Sequence, residues 1–184
     1  MKKIIVFLLT LVLLTSCSDN STYFAEKIVK LNLSGALQER ELEASGLSWY
    51  KDKLIILPQF PHKWEYQFDG ALFYIHQKRI KNYLNRVDTT ALEGEKLHFI
   101  AKGLDDIGKA YGSGYEAITF IDDTVFVSIE SINRSKSTDY VVRGIIDFEN
   151  KKVILDATTK HEVKSQTDIH NMGEETIFVY KNRI

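Results

Sequence analysis

The sequence predicts an all-β domain, and two observations favour a partial β-propeller of four-stranded antiparallel blades. First, one sequence motif occurs three times: ASGLSWYKDKLIILPQ at 44–59, YEAITFIDDTVFVSIE at 115–130 and EETIFVYKNRI at 174–184. Second, each copy places β-branched and aromatic runs on both sides of a polar turn, which is typical of two paired strands. A repeated multi-strand unit is the sequence pattern of propeller blades.

Two more predicted strands follow each of the first two copies. Copy one is followed by ALFYIHQ at 71–77, a short helical KRIKNYLNR and KLHFIAKG at 96–103. Copy two is followed by TDYVVRGIIDF at 138–148 and KVILDAT at 152–158. Each complete copy therefore predicts a four-stranded antiparallel meander.

One further strand, KIVKLNL at 27–33, is predicted ahead of the first copy. The chain then supplies two whole blades and the first hairpin of a third, about two and a half blades, whereas propellers close with about four to eight. We therefore expect the chain to be part of a longer propeller that is incomplete at its C-terminus. The alternative is a compact β-sandwich or a single meandering sheet.

The amino terminus predicts a lipoprotein signal peptide over residues 1–16. Lys2 and Lys3 precede a short apolar run that ends in Leu-Thr-Ser-Cys at 14–17, a layout typical of export signals. The run is too short to cross a bilayer, which takes about 20 residues. Leu-Thr-Ser-Cys resembles the bacterial lipobox, which implies cleavage before a lipidated, palmitate-bearing Cys17. Residues 17–26 then form the lipidated cysteine and a short tether, and 27–184 the β-domain.

Composition limits the partners of this domain. Cys17 is the single cysteine, which excludes internal disulfides and a cysteine-rich metal site. The formal net charge of −1 gives no electrostatic pattern for nucleic acid. Ser18 after the cysteine resembles an outer-membrane sorting signal, so we expect an outer-membrane lipoprotein that faces the periplasm or the cell surface.

The blade openings resemble a known family. Glu43–Leu47, Gly114–Ile118 and Gly173–Ile177 resemble the E-x-S-G-L and D-x-E-G-I openings of SdiA-regulated and phytase-like (esterase-like) β-propellers. This chain departs from the pattern at Ala117 and Thr176, which follow the glutamates where the family has glycine. The resemblance implies an exported propeller in which glutamates of this kind ligate a metal ion in the central channel.

The alignment of the three copies supplies the candidate site. It places Ser45, Glu116 and Glu175 at the start of successive innermost strands, where a propeller points them toward its channel. Glu116 and Glu175 would suit a hard cation such as Ca²⁺, which prefers oxygen ligands. The competing interpretation is that these side chains accept hydrogen bonds and tie neighbouring blades together. Three further side chains are candidates for lining the channel: Asp106, Asp168 and His170.

These observations favour a membrane-anchored exported lipoprotein whose propeller-like binding domain holds a divalent cation in its channel, without catalysis. A metal-assisted hydrolase of phosphate or carboxylic esters is the first alternative, and an adhesion or partner-binding module is the second. No catalytic residue is assigned, because the sequence contains no Gly-x-Ser-x-Gly elbow and no base is identified for Ser45. The sequence does not identify a protein or small-molecule partner.

Overall fold

A computed structural model describes most of the chain after its amino-terminal segment. The chain divides into two units, Met1–Lys30 and Leu31–Ile184, and the architecture below is that of the second. Among the residues described, no helix is long and apolar enough to cross a membrane. The described residues are 28–109, 113–133, 136–163, 176–181 and 184.

The second unit is all-β with two short helices in its described part, which confirms the predicted class. The helices are α1 (Gln77–Leu84) and α2 (Asp105–Gly108). In chain order the strands are β1 (Leu33–Ser34), β2 (Ala44–Tyr50), β3 (Lys53–Pro58), β4 (Gly70–His76), β5 (Leu92–Glu93), β6 (Glu95–Ile100), β7 (Gly114–Ile121), β8 (Thr124–Asn133), β9 (Lys136–Asp147), β10 (Lys152–Leu155) and β11 (His161–Val163).

Both predicted four-stranded meanders form, and they join into one sheet. The strand order is β2–β3–β4–β6–β10–β9–β8–β7, with β11 added beside β9. Neighbours within each meander run antiparallel, whereas β6 and β10 pair in parallel, with Phe99 opposite Val153. Propeller blades are separate sheets that pack face to face, so this parallel junction distinguishes the observed sheet from a row of blades.

The sheet curls until its two end strands lie side by side, so that it forms a nearly closed barrel. The backbone amide of Tyr115 in β7 donates to the carbonyl of Gln59, the residue after β3, at 3.0 Å. A Cβ added to Gly46 in β2 would lie 3.0 Å from the backbone nitrogen of Ile118. Glycine at position 46 therefore permits the close approach of β2 to β7.

The main core fills the space enclosed by the two meanders. Side chains alternate along each strand, so the eight strands from β2 to β7 in the sheet order contribute their inward residues to one continuous apolar cluster. Six members, one from each of six strands, are fully buried: Leu57, Leu72, Leu97, Val127, Val142 and Val153. This burial, at about 25 cal/mol per Å² of apolar surface, is the main force that holds the two meanders together.

A second apolar cluster covers the outer face of the first meander. Ile56, Phe73 and Ile75 point away from the main core. They pack against Leu37 and Leu42, which lie in the short 3-10 turns ahead of β2, and against side chains of helix α1. Because β3 and β4 are buried on both faces, their sequences are nearly continuous apolar runs.

The two first hairpins turn in the same way, as the aligned copies predict. Lys51 has a φ of 53° and Asp122 a φ of 50°, the left-handed conformation that two-residue hairpin turns require. In the third copy Lys181 adopts the same conformation, with a φ of 48°. All three copies therefore have a left-handed residue at the first position of the predicted turn.

Two predicted strands are corrected. Of the described part of KIVKLNL, 28–33, only Leu33 lies in a strand, and that strand pairs with β5 outside the main sheet, so the predicted outer strand is wrong. In the third copy, residues 176–179 are not in a strand, and Tyr180 makes a single bridge. A strand is stable only beside a partner of matching register, and local alternation of residues does not supply that partner.

Candidate functional site

The aligned residues Ser45 and Glu116 occupy equivalent β-bulges. In the first meander, Ala44 pairs with Pro58 and Gly46 with Leu57, so Ser45 is the extra residue. In the second, Tyr115 pairs with Ile129 and Ala117 with Ser128, so Glu116 is the extra residue. A bulge redirects the side chain of its extra residue relative to the pleat, which is why bulges recur beside functional sites.

Both bulge residues form bonds between the two meanders. The Ser45 hydroxyl lies 2.5 Å from the carbonyl oxygen of Tyr115 and 3.2 Å from that of Leu57. Gln59 Nε2 donates to Glu116 Oε1 at 3.2 Å. We call the four residues Ser45, Gln59, Tyr115 and Glu116 the seam. They place the predicted channel side chains in contacts that bind one repeat to the next.

Close packing around the seam explains a glycine at the start of β7. A Cβ at Gly114 would lie 2.6 Å from Gln59 Cγ and 2.8 Å from Glu116 Oε1. Both distances are shorter than van der Waals contact. Any larger residue at position 114 would push the glutamine and the glutamate apart, so Gly114 sets the geometry of the seam.

Two more buried carboxylates lie at the same end of the sheet. Glu130, opposite Gly114 on β8, is 4% exposed, and Asp139, opposite Glu130 on β9, is 1% exposed. Glu116 is 6% exposed. The Ser137 hydroxyl donates to Glu130 Oε1 at 2.6 Å. Buried carboxylates are costly unless hydrogen-bonded or paired, so this acidic group is a distinctive feature of the second meander.

Glu130, Asp139 and Gln59 are candidate functional-site residues that the sequence pattern did not predict. Glu130 and Asp139 stand at alternate positions of amphipathic strands, a pattern that usually indicates the solvent face. Glu130 and Asp139 pair across β8 and β9 because of the register of that hairpin. The hairpin register was therefore the sequence feature from which their proximity could have been predicted. Gln59 follows β3 directly and gave no signal of its own.

The remaining predicted residues are placed differently. Asp106 lies in α2 with a side chain 69% exposed and 3.8 Å from the Lys160 ammonium, a solvated position separate from the seam bonds. Cys17, Asp168, His170 and Glu175 lie outside the described residues. In the described part of the chain, no group of three or more His, Cys, Asp or Glu side chains is arranged to hold a metal ion.

A charged cluster at the two hairpin turns forms the other end of the contact between β2 and β7. The Tyr50 hydroxyl donates to Asp123 Oδ1 at 2.6 Å, and the Lys51 ammonium lies 2.9 Å from the same oxygen. The hydrogen bond from Tyr50, together with the bond and charge of Lys51, lowers the pKa of the Asp123 carboxyl. Burial is the main reason that the pKa of the Tyr50 hydroxyl is raised.

A second carboxylate cluster surrounds His76 at the turn end of the first meander. His76 Nδ1 is 3.5 Å from Asp52, and His76 Nε2 is 3.7 Å from Glu95. The Tyr74 hydroxyl donates to Glu95 at 2.5 Å, which is the main cause of the lowered pKa of that carboxyl. Burial and the same bond raise the pKa of Tyr74 to about 12. The two carboxylates face different ring nitrogens, so the cluster is not arranged as a chelate.

The aromatic loop between β3 and β4 covers the sheet. Trp64 packs edge-on against Phe73, with ring centroids 5.8 Å apart, and Phe68 lies over His98 at 4.3 Å. Tyr66 is 92% exposed. Trp64 therefore closes the outer cluster, whereas the Tyr66 side chain lies in solvent.

Comparisons with protein-family models, with curated proteins and with solved structures found no match to this chain.

Replacing Asp123 by Asn should make the stability of the protein less sensitive to acid. The pKa of Asp123 is lower in the folded protein than in the unfolded chain, so its stabilising contribution is complete above the unfolded pKa of about 3.9. That contribution is lost as the pH falls through the lower folded value. We expect Asp123→Asn to be less stable than the parent at pH 7, with the difference shrinking toward pH 2, as measured by urea unfolding.

Asp122→Asn is the matched control, since the neighbouring side chain makes none of the bonds described for Asp123 and Asn tolerates its left-handed backbone. An equal response of the two variants would contradict the assignment of this acid sensitivity to the Tyr50–Lys51–Asp123 cluster.

Proposed function

We propose that this protein is an exported lipoprotein, anchored through Cys17, whose all-β domain is a binding module. The hydrogen bonds of the seam support a binding role without catalysis. Ser45 lies within hydrogen-bond distance of two backbone carbonyls and Glu116 accepts from Gln59, so the predicted site side chains join the two repeats. A serine nucleophile needs an adjacent base, and no such base bonds Ser45 within the described residues.

The anchor rests on the amino-terminal sequence. Leu-Thr-Ser-Cys follows a basic and then an apolar segment, and Cys17 is the sole thiol of an exported chain. Stable attachment takes more than one acyl chain, at about 0.8 kcal/mol for each buried methylene. Lipidation of this kind gives the lone cysteine a chemical role. The resemblance of Ser18 to an outer-membrane sorting signal supports a location in the outer membrane.

We also propose that the two meanders are blade-type repeats of a propeller-related domain, as the resemblance to SdiA-regulated and phytase-like propellers implies. Their shared strand order, their bulges at Ser45 and Glu116, and their left-handed turn residues support a common origin. The left-handed Lys181 extends that correspondence to the third copy. In a propeller the two repeats would be separate sheets, so β6 and β10 would not pair as they do here.

A divalent cation is proposed as a ligand of the acidic end of the seam. Glu116 and Gln59 bring side-chain oxygens, and neighbouring backbone carbonyls add neutral oxygens, which is the donor set that Ca²⁺ prefers. In the aligned repeat Glu175 would contribute the second carboxylate. A bound cation would neutralise buried negative charge and strengthen the contact between successive repeats.

The anchor is tested by expressing the full chain and analysing its amino-terminal peptide by mass spectrometry. We expect the mature protein to begin at an acylated Cys17 and to partition into the detergent phase. Cys17→Ala should abolish both acylation and partitioning, while Ser18→Ala, which leaves the cysteine in place, should remain acylated. An intact amino-terminal peptide with unmodified Cys17 would show that the anchor proposal is wrong.

The cation proposal is tested by thermal unfolding with and without calcium. At ten times its dissociation constant a ligand stabilises the folded state by about 1.4 kcal/mol, which is roughly 3–6 °C in Tm for a chain of this size. We expect calcium to raise the Tm of the parent and to leave that of Glu116→Gln unchanged. Glu149→Gln, at an exposed turn, should respond as the parent does.

The same proteins separate binding from hydrolysis. An unchanged Tm of the parent in millimolar calcium would contradict the cation proposal. Turnover of simple phosphate or carboxylic esters that is lost in Glu116→Gln, with the circular dichroism spectrum retained, would instead favour the hydrolase. Neither result bears on the lipid anchor, which mass spectrometry decides alone.

A further inference from the structure

Helix α1 and the turn after it form the most basic segment of the described structure. Residues 77–87, QKRIKNYLNRV, contain four basic side chains and no acidic one. Arg79 pairs with Asp88, which leaves Lys78, Lys81 and Arg86 as exposed cations. Leu84 is 47% exposed and Val87 73% exposed beside them. We call Lys78, Lys81, Leu84, Arg86 and Val87 the basic helix surface.

The opposite side of α1 is fixed to the domain. Ile80 and Tyr83 pack against the outer apolar cluster that covers the first meander. Residues three and four apart share one side of a helix, so burial of Ile80 and Tyr83 turns Lys78 and Lys81 outward. Helix α1 is therefore fixed on the domain with Lys78, Lys81 and Leu84 exposed, and Arg86 and Val87 follow in the exposed turn.

The chain reaches the domain beside this helix. The backbone amide of Asn32 donates to the Tyr83 hydroxyl at 3.1 Å, and Leu31 packs against the same outer cluster. Only thirteen residues separate Cys17 from Leu31. A random coil of that length would have a root-mean-square span of about 20 Å. A lipid on Cys17 would thus hold the side of the domain that carries α1 close to the bilayer.

We propose that the basic helix surface docks on anionic phospholipid headgroups and orients the anchored domain on its membrane. Cations near an anionic bilayer each contribute about fivefold to affinity, and exposed apolar side chains beside them insert into the interface. Lys78, Lys81 and Arg86 supply the charge, and Leu84 and Val87 the apolar contact. This inference rests on the proposed Cys17 anchor for its geometry, but the patch itself does not depend on lipidation.

The test uses the mature protein carrying Leu84→Cys, labelled with an environment-sensitive fluorophore and reconstituted on vesicles. An acylated Cys17 leaves Cys17 blocked, so the introduced thiol takes one label; an unmodified Cys17 gives two. We expect the emission to shift to the blue on vesicles of phosphatidylcholine with phosphatidylglycerol, relative to phosphatidylcholine alone. Added salt should reduce the shift, since exposed charges are screened.

Charge variants locate the effect. In cosedimentation, Lys78→Gln with Lys81→Gln should weaken binding of unacylated protein to the anionic vesicles by about 25-fold, from fivefold for each charge. Lys102→Gln with Lys152→Gln removes the same charge elsewhere, from the turn after β6 and from β10, and should change binding little. Equal losses in the two double variants would overturn the proposal.

The outcomes separate the docking surface from the anchor. Two labels per chain refute the anchor, and binding of that unacylated protein to anionic vesicles, reduced by the Lys78 and Lys81 changes, still supports the docking surface. One label per chain with identical emission on both vesicle types supports the anchor and overturns the docking surface. Absence of binding by the unacylated protein to anionic vesicles likewise overturns it.

Discussion

The closure of the sheet depends on the close contact between β2 and β7, the first strands of the two repeats. Gly46 lies so near the backbone of Ile118 that a side chain there would force the strands apart. Ser45 and Gln59 bond the start of β7 at one end of this contact, and Tyr50 and Lys51 bond Asp123 at the other. Once these strands are held together, the inward residues of both meanders enclose a single apolar core.

The same contact accounts for the placement of the polar groups. A repeat whose first strand must bond its neighbour carries a bulge there, and the bulge turns Ser45 or Glu116 toward the other repeat. Glu130 and Asp139 extend the buried acidic group along the second meander. Charged side chains at the turns stay largely in solvent, where ion pairs contribute little to stability. Among the described residues, the buried charged side chains therefore lie at one end of the sheet.

The two faces of the first meander pack against different parts of the protein. Its inner face belongs to the shared core, and its outer face carries the 3-10 turns, the aromatic loop and helix α1. Because that outer face is closed by the protein's own segments, α1 presents its cations outward beside the point where the chain leaves the domain. The proposed docking of α1 on a bilayer would use this outward face and none of the residues of the seam.

Local pattern made the strands and their turns predictable. Alternation and turn residues predicted β2, β3, β7, β8 and β9 and the helical segment that is α1, and the alignment of Ser45 with Glu116 is confirmed by their equivalent bulges.

The parallel pairing of β6 with β10 could not be predicted from local pattern, because alternation shows which residues face a core but not which strands pair at their edges. The same limit hid Glu130 and Asp139, whose burial depends on what covers the sheet.

Amide hydrogen exchange measured by NMR tests the joined sheet most directly. The His98 amide in β6 donates to the carbonyl of Lys151 next to β10 at 2.8 Å, so it should exchange as slowly as core amides such as that of Ile55. Nuclear Overhauser contacts between Phe99 and Val153 should accompany that protection. Fast exchange at His98 while Ile55 stays protected would mean that β6 is a free edge and that the meanders stand as separate blades, contrary to this account.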